Sequence, residues 1–459
     1  MNKPKLVISC PVATRSGYGD HSRDIIRSLL QIDKYDVSIL SQRWGGCPMN
    51  ALDATDDFHK EIIKRIVFNN NLTSQPDIWI QVSTPIEFQK VGKYNIGITA
   101  GIETTACSAE WLIGCNNMDL IIVPSEHSKR SLMSPEYRAV DQRTNNQVGN
   151  LKCEKPVEVI FEGVDLNKYG KDKLISTNVR HELNNNIKED FCFLYVGHWL
   201  NGDLGEDRKN TGLLIKLFLE TFKNESYPPA LILKTSGATF SIIDRENILD
   251  KINKIKSTVQ SEKSLPNVYL LHGDLTDEEM NSLYNHSKVK CHINLTKGEG
   301  FCRTLLESSL SEKPIIASNW SGHIDFLHKD YNALIGGELK PVHPSAVWDK
   351  MIIKESSWFS VNIHEVNSAM MSIYKNYQYF KQKATLQLDY AKNNFNLDKM
   401  TEKFGEIFNK YIPEFPKQIQ LNLPKLKKIE LPKLKKIGEE LLEEEKKSEL
   451  KLPKLKKIE

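Results

Sequence analysis

Two glutamates, Glu299 and Glu307, lie eight residues apart in a glycine-containing segment whose residue types suit a phosphorylated sugar. Gly298 and Gly300 flank the first glutamate, and glycine lets a backbone turn sharply and approach a ligand closely. The helix predicted from Cys302 onward presents unpaired N–H groups and a positive dipole end, which attract a phosphate. We therefore predict that Glu299 contacts the sugar and that Glu307 accepts hydrogen bonds from two ribose hydroxyls. Solvated surface positions are the alternative for both.

Arg208 and Lys209 form a basic pair just before a predicted helix at 210–222. Cationic side chains at the start of a helix oppose its dipole, so their presence favours an anionic ligand. A guanidinium beside an ammonium can hold a diphosphate. Because surface charges are common, a solvent-exposed pair without a ligand is the alternative. Lys234 ends a predicted strand at 231–234 and can reach the same place, although a satisfied strand end is its commoner role.

Gly17 and Gly19 follow the first predicted strand, at 6–10, and form half of a dinucleotide-binding fingerprint. The third glycine of that fingerprint is absent. The second predicted strand, at 36–40, is followed by polar residues and Arg43 rather than by an acid for a ribose. An enzyme that uses a nicotinamide cofactor is therefore disfavoured.

Short apolar runs alternate with amphipathic helical stretches, which is typical of parallel sheets covered by helices. In the first half, strands are predicted at 6–10, 36–40, 78–82, 94–99, 120–123 and 156–160, with a helix near 21–30. In the second half, strands are predicted at 191–196, 231–234, 268–271, 290–295 and 314–317. Two such units in tandem leave a cleft between their sheet edges, and ligands bind beyond the carboxyl ends of the strands.

The composition excludes several classes of protein. Of 459 residues, 40% are hydrophobic and 26% charged, which is ordinary for a globular chain and excludes disorder as the main state. The net charge of +3 is too small to imply a polyanionic partner. The eight cysteines include no Cys-x-x-Cys pair, so free thiols and a cytoplasmic location are expected. No apolar stretch approaches the roughly 18 residues of a membrane span.

The end of the chain differs from the rest. The heptapeptide Leu-Pro-Lys-Leu-Lys-Lys-Ile begins at Leu423, Leu431 and Leu452. Residues 421–459 contain 12 Lys and 8 Glu, so this segment carries +4 and the remainder of the chain −1. The prolines interrupt any long helix, and we predict an extended tail that is largely disordered alone. A solvated spacer and a docking segment for an acidic surface both remain open.

The segment 298–307, followed by Lys313-Pro314-Ile315-Ile316-Ala317 and Ser321-Gly322-His323, resembles the retaining glycosyltransferases of family 4, which have the GT-B fold. Its Glu-x7-Glu motif is the marker of that family. The basic pair and the first glycine loop also match, so the resemblance extends from the first strand to about Tyr411. The implied fold is α/β, with two Rossmann-like parallel-sheet domains facing a cleft.

The resemblance also implies a division of the chain. Residues 1–165 form the acceptor-side domain and residues 190–395 the domain that binds the nucleotide-sugar. A helix at 396–411 returns to the first domain, and 412–459 is the repetitive tail.

By the same resemblance, a nucleotide-diphosphate sugar is the donor substrate, no metal or other cofactor is needed, and anomeric configuration is retained. Catalytic roles fall to Glu299, Arg208 and Lys209. Donor-binding roles fall to Gly17, Gly19, Gly300, Phe301, Cys302, Arg303, Thr304 and Glu307.

Glu103, His21 and His127 are candidates for contact with the acceptor. Glu103 is the best of these because it follows a glycine at a predicted strand end, whereas core or surface roles suit the histidines equally well. His292 lies between apolar residues of a predicted strand and is expected in the core. The acceptor itself stays open among saccharide, lipid, protein and modified DNA.

Two other functions are compatible with these residues. A nucleotide-sugar epimerase of the same fold would bind the same donor without an acceptor. A non-catalytic scaffold would instead recruit a partner through the heptapeptide copies of the tail.

Overall fold

A computed structural model describes residues 3–415, apart from 68–71, 73, 141–142, 144–145, 174 and 238–239. The predicted tail lies outside the described residues from 416 onward. The described chain forms two parallel sheets flanked by helices, which confirms the predicted α/β class with two Rossmann-like sheets.

The first lobe contains strands β1–β8 and helices α1–α4. The strands are β1 Lys5–Cys10, β2 Asp36–Ser41, β3 Ile78–Val82, β4 Tyr94–Ile98, β5 Leu120–Val123, β6 Tyr137–Val140, β7 Gln147–Leu151 and β8 Val157–Val159. The helices are α1 Gly17–Ile32, α2 Asp57–Arg65, α3 Ala109–Asn116 and α4 Glu126–Met133. The main sheet has the order β2-β1-β3-β4-β5-β8, and β6 pairs with β7 in a separate antiparallel hairpin.

The second lobe repeats this plan. Its strands are β9 Cys192–Val196, β10 Ala230–Lys234, β11 Val268–Leu271, β12 Val289–Asn294, β13 Ile315–Ser318, β14 Ala333–Ile335, β15 Gly337–Pro341 and β16 Ser357–Val361. Its helices are α5 Thr177–Asn186, α6 Thr211–Phe222, α7 Ile242–Ser257, α8 Asp277–Asn285, α9 Arg303–Ser309, α10 Ile363–Lys375 and α11 Tyr377–Asn394. The parallel sheet has the order β11-β10-β9-β12-β13-β14.

The predicted strands agree with the structure to within one residue at each end, because buried parallel strands are continuous apolar runs. The hairpins β6–β7 and β15–β16 and the edge strand β14 were not predicted. Every residue of β15 is exposed, so it lacks the apolar run of a buried strand. The polar stretch before β9, predicted to separate the domains, contains α5. Val179 and Leu183 of this helix are buried in the main hydrophobic cluster.

Helix α12, Leu397–Tyr411, packs against α1 of the first lobe, while the predicted division of the chain into domains stays a prediction. Asn396 caps it by accepting a hydrogen bond from the amide of Lys399. The Thr401 hydroxyl lies 2.9 Å from that of Ser28 on α1. Phe404 of α12 is fully buried in the main hydrophobic cluster. Among the described helices, none has both the length and the apolar character needed to cross a membrane.

Replacing Phe404 by alanine should destabilise the protein by about 3–5 kcal/mol, because a fully buried ring leaves a cavity beneath α12. Urea unfolding followed by circular dichroism measures the change. Glu406→Ala on the exposed side of the same helix is the matched control and should stay within about 0.5 kcal/mol. Equal midpoints for the two variants would show that α12 is not part of the cooperative core.

Candidate functional site

The loops that follow β9 and β12 bring Arg208, Lys209 and Glu299 together. These strands are neighbours in the sheet, so their carboxyl ends open at the same edge. The amide of Lys297 donates to the carbonyl of Arg208 at 2.8 Å, which joins the two loops. The predicted juxtaposition of the basic pair with the first glutamate is therefore present in the structure.

Glu299 lies between the two cations. Its Oε1 is 2.5 Å from Lys209 Nζ and its Oε2 is 3.2 Å from Arg208 Nη1. Burial by itself raises the pKa of Glu299, but the charges of Lys209 and Arg208 outweigh it and hold the pKa at about 2. Arg208 also lies 3.7 Å from Glu103 of the first lobe. We call Glu299, Arg208 and Lys209 the cation–glutamate cluster.

The backbone of Glu299 is held by the loop after β13. Its amide donates to Ser321 Oγ at 3.0 Å, and its carbonyl accepts from the amide of Gly322 at 2.9 Å. A side chain at position 322 would place its Cβ 2.0 Å from the carbonyl oxygen of Gly300. Glycine is therefore required here for the two loops to touch.

Glu307 belongs to a different group of charges. Its Oε1 accepts from Arg303 Nε at 3.0 Å, and its Oε2 accepts from the Tyr284 hydroxyl at 3.2 Å. Arg303 also lies 2.5 Å from Asp24 and 3.9 Å from Glu162, both in the first lobe. We call Arg303, Glu307, Asp24 and Glu162 the Arg303 cluster. The structure thus separates the two glutamates of the motif into two clusters.

In the Arg303 cluster a single guanidinium faces three buried carboxylates, so ionisation of all three is energetically unfavourable. Burial raises the pKa of Glu307 to about 8 and that of Glu162 to about 7, although Arg303 acts against both shifts. Burial also raises the pKa of Asp24. Burial thus favours the protonated form of these carboxyls, and the charge of Arg303 favours the ionised form.

Gly298 and Gly300 lie against the first lobe. An added Cβ would be 1.8 Å from the carbonyl oxygen of Glu103 at position 298, and 1.9 Å from that of Ala100 at position 300. The Ser125 hydroxyl donates to the Gly300 carbonyl at 2.6 Å. Gly298 and Gly300 thus allow the two lobes to contact each other. That these glycines also contact a donor stays a prediction.

The other predicted donor-binding residues occupy mixed positions. Gly17 and Gly19 lie in the first turn of α1 rather than in a loop, and Gly19 packs on Thr14. Phe301 is buried against Phe326, with ring centroids 4.9 Å apart. Two further residues lie at the start of α9: Cys302, buried with φ +76°, and Thr304, half-buried.

The predicted acceptor-side residues also differ from one another. Glu103 is half-buried and faces Arg208. His21 is buried, and its Nδ1 has no hydrogen-bond partner among the described residues. Burial, with the nearby charge of Arg303, lowers the pKa of His21 to about 3. His127 is bonded to the carbonyl of Ile102 and packs edge-on against Trp320.

Two remaining side chains have the structural roles that the sequence favours. His292 is buried in β12 and bonded to Ser311 at 3.1 Å. Lys234 donates to the carbonyl of Gly273 at 2.6 Å.

Three residues of the Arg303 cluster environment were not identified from the sequence: Asp24, Glu162 and Tyr284. Glu162 follows the end of β8, so the strand-end rule used elsewhere would have found it. Asp24 lies one helical turn after His21 on α1 and faces the same way, but nothing local to it indicates its partner.

The chain matches no family model and no curated protein, but many solved structures are similar to it. A glycosyltransferase from Rickettsia africae ESF-5 aligns with TM-score 0.57 and 13% identity over 90% of this chain and 99% of that one. Anabaena HepE, solved with UDP and glucose, gives 0.56 and 12% over 88% and 99%. Sucrose-phosphate synthase from Thermosynechococcus elongatus gives 0.57 and 12% over 89% and 99%. At such identities the likeness establishes the architecture, which is the GT-B fold.

The raised pKa of Glu307 makes a prediction for stability against pH. The folded state keeps a proton that the unfolded chain releases between the ordinary pKa of 4.5 and about 8, so this contribution falls as pH rises through that window. Glu307→Gln should remove it. The difference in unfolding free energy between wild type and variant should then decline toward alkaline pH by up to about 1.4 kcal/mol per pH unit.

Urea unfolding at pH 5, 6.5 and 8.5 measures this difference. Glu312→Gln is the control: burial opposes ionisation of Glu312, but Thr385 and Lys171 outweigh it and lower its pKa. That group is ionised in both states above pH 5, so its difference should be flat. A flat difference for Glu307→Gln as well would contradict the protonated state of the Arg303 cluster.

Proposed function

We propose that the protein is a glycosyltransferase that moves a sugar from a nucleoside diphosphate to an acceptor hydroxyl, with retention of configuration and without a metal ion. The observation that carries the proposal is the cation–glutamate cluster, which places two cations and one carboxylate at the carboxyl edge of the second sheet. The family 4 resemblance of the motif and the shared fold with HepE, solved with UDP and glucose or with UDP-glucose, support it. The scattered free cysteines favour a cytoplasmic location.

In the proposed reaction, Arg208 and Lys209 neutralise the diphosphate as it leaves. Both side chains are mostly buried, so their charges act through a medium of low dielectric and are stronger than in water. Because both cations now pair with Glu299, the diphosphate replaces part of that pairing when it binds. Glu299 then accepts hydrogen bonds from sugar hydroxyls and orients the ring, held by Ser321 and Gly322 behind it.

The acceptor hydroxyl attacks the anomeric carbon on the face from which the diphosphate departs. The bond from carbon to the leaving oxygen breaks as the new glycosidic bond forms, and the acceptor proton passes to an oxygen of the leaving phosphate. The protein's contribution is to hold the two substrates in this geometry. Glu307 binds the ribose of the donor from α9.

Lys209→Ala should lower the turnover number by about 100- to 1000-fold, because it removes one of the two charges that stabilise the leaving group. Release of nucleoside diphosphate from UDP-, GDP-, ADP- and dTDP-sugars, with and without pooled acceptors, measures it. Lys223→Ala, at the far end of α6 and paired with Glu220, is the matched control and should retain full turnover. Thermal unfolding of both variants checks that the fold is intact.

Two outcomes of that assay would contradict the proposal. Interconversion of the donor sugar in the absence of an acceptor would indicate an epimerase. Absence of any stabilisation by nucleotide-sugars in thermal unfolding would remove the donor site altogether, because a ligand that binds the folded state must raise its stability.

Deletion of residues 421–459 should leave donor turnover within about twofold of the full chain, because every residue of the cation–glutamate cluster lies before position 300. The deletion begins at residue 421, beyond the last described residue, 415, so it removes no described contact. Loss of turnover on deletion would instead favour the scaffold alternative, in which the tail recruits the partner.

A further inference from the structure

The loop that follows β2, residues 42–51, covers the carboxyl edge of the first sheet. Its backbone is bound to the loop after β1: the Arg15 amide donates to the Pro48 carbonyl at 2.9 Å, and the Ala51 amide to the Ala13 carbonyl at 3.0 Å. The loop is therefore a fixed surface that carries its side chains at defined positions.

Trp44 is the large aromatic residue of this loop. Its ring stacks on Tyr18, with centroids 3.9 Å apart and an interplanar angle of 25°. The indole is only half-buried and belongs to none of the hydrophobic clusters of the described residues. Trp44 thus does not serve the core, and part of its ring is open to a ligand.

Tyr18 connects this ring to the candidate site. Its hydroxyl lies 3.0 Å from Thr99 Oγ1 and accepts from the amide of Ala100 at 3.0 Å. The carbonyl of Ala100 faces Gly300, next to Glu299. Trp44 therefore stacks on Tyr18, and Tyr18 in turn contacts Thr99 and Ala100, the segment that faces Gly300.

Next to Trp44 in the chain are an arginine and two glycines. Arg43 is exposed and forms no ion pair or side-chain hydrogen bond with the described residues. Gly45 and Gly46 are exposed as well, whereas Pro48 and Met49 further along the loop are exposed apolar residues. An aromatic face beside a free guanidinium suits a ligand with an apolar face and hydroxyl groups at its edge.

We propose that Trp44 is the stacking platform for a saccharide acceptor, whose pyranose C–H face packs on the indole while Arg43 donates hydrogen bonds to its hydroxyls. This inference rests on the proposed function, because a second substrate must reach the donor sugar from the lobe that faces the cation–glutamate cluster. A lipid chain would need a continuous apolar groove, and single-stranded DNA would need several cations along the loop. Here Arg15 is already paired with Asp274 at 3.2 Å.

Fluorine NMR of the full chain tests the platform without requiring turnover. All seven tryptophans are labelled as 5-fluorotryptophan, and Trp44→Phe and Trp348→Phe assign two of the resonances. Soluble oligosaccharides, a peptide pool, phosphocholine micelles and a DNA oligonucleotide are then titrated in separate samples. We expect a saturable shift of Trp44 with an oligosaccharide and none of Trp348, which is 63% exposed on the second lobe.

A Trp44 signal that responds to peptide, micelle or DNA but to no oligosaccharide would overturn the inference, and so would a signal that responds to nothing. Parallel movement of Trp348 in the oligosaccharide titration would also overturn it, since any exposed indole would then behave alike. The donor is not present, so these results are independent of the donor-binding test of the proposed function.

Kinetics with the responding oligosaccharide give the second readout. Trp44→Ala should raise the acceptor KM by about 3- to 10-fold, the loss expected for one aromatic contact, and Trp44→Phe should recover most of it. Trp348→Ala is the matched control and should leave the acceptor KM unchanged. An acceptor KM for Trp44→Ala equal to that of wild type would exclude the platform.

Discussion

The burial of Glu299 between Lys209 and Arg208 is the constraint on which the candidate site depends. A buried carboxylate is destabilising unless it is paired, and here the loops after two adjacent strands supply both cations. Because Arg208 also faces Glu103, the same charges connect the second lobe to the first. Buried ion pairs are weak evidence for stability, since apolar residues of similar volume often stabilise as well. Their presence at this sheet edge is the feature that supports the proposed binding of a diphosphate.

Contact between the lobes is the second determinant of the site. The carbonyls of Ala100 and Glu103 occupy the space where side chains at positions 300 and 298 would lie, so the glycine loop fits only as glycine. Arg303 extends from the second lobe to Asp24 and Glu162 of the first. In this arrangement the lobes are closed on one another. The cation–glutamate cluster therefore lies beside the contact between the two lobes.

The sequence predicted the central strands of both parallel sheets, but not the short edge strand β14 or the largely buried β16. Strands covered on both faces are continuous apolar runs, so their positions were found, whereas β15 is exposed throughout and was not. The approach of Lys209 to Glu299 followed from strand ends that share one edge. The partners of Arg303 did not follow, because Asp24 is 279 residues away and no local pattern joins the two positions. The burial of Phe301 and Cys302 was also not predicted, because their position in the motif assigned them to donor binding.

The two glutamates of the motif show how charge balance, rather than residue type, sets chemistry. Two cations outweigh the burial of Glu299 and keep its pKa at about 2, while burial raises the pKa of Glu307 to about 8 because the single guanidinium of Arg303 does not offset it. The cations thus favour the ionised form of Glu299, and burial favours the neutral form of Glu307. A neutral Glu307 would add no negative charge to repel the proposed diphosphate. A neutral carboxyl can also donate one hydrogen bond and accept others, which suits the paired hydroxyls of a ribose.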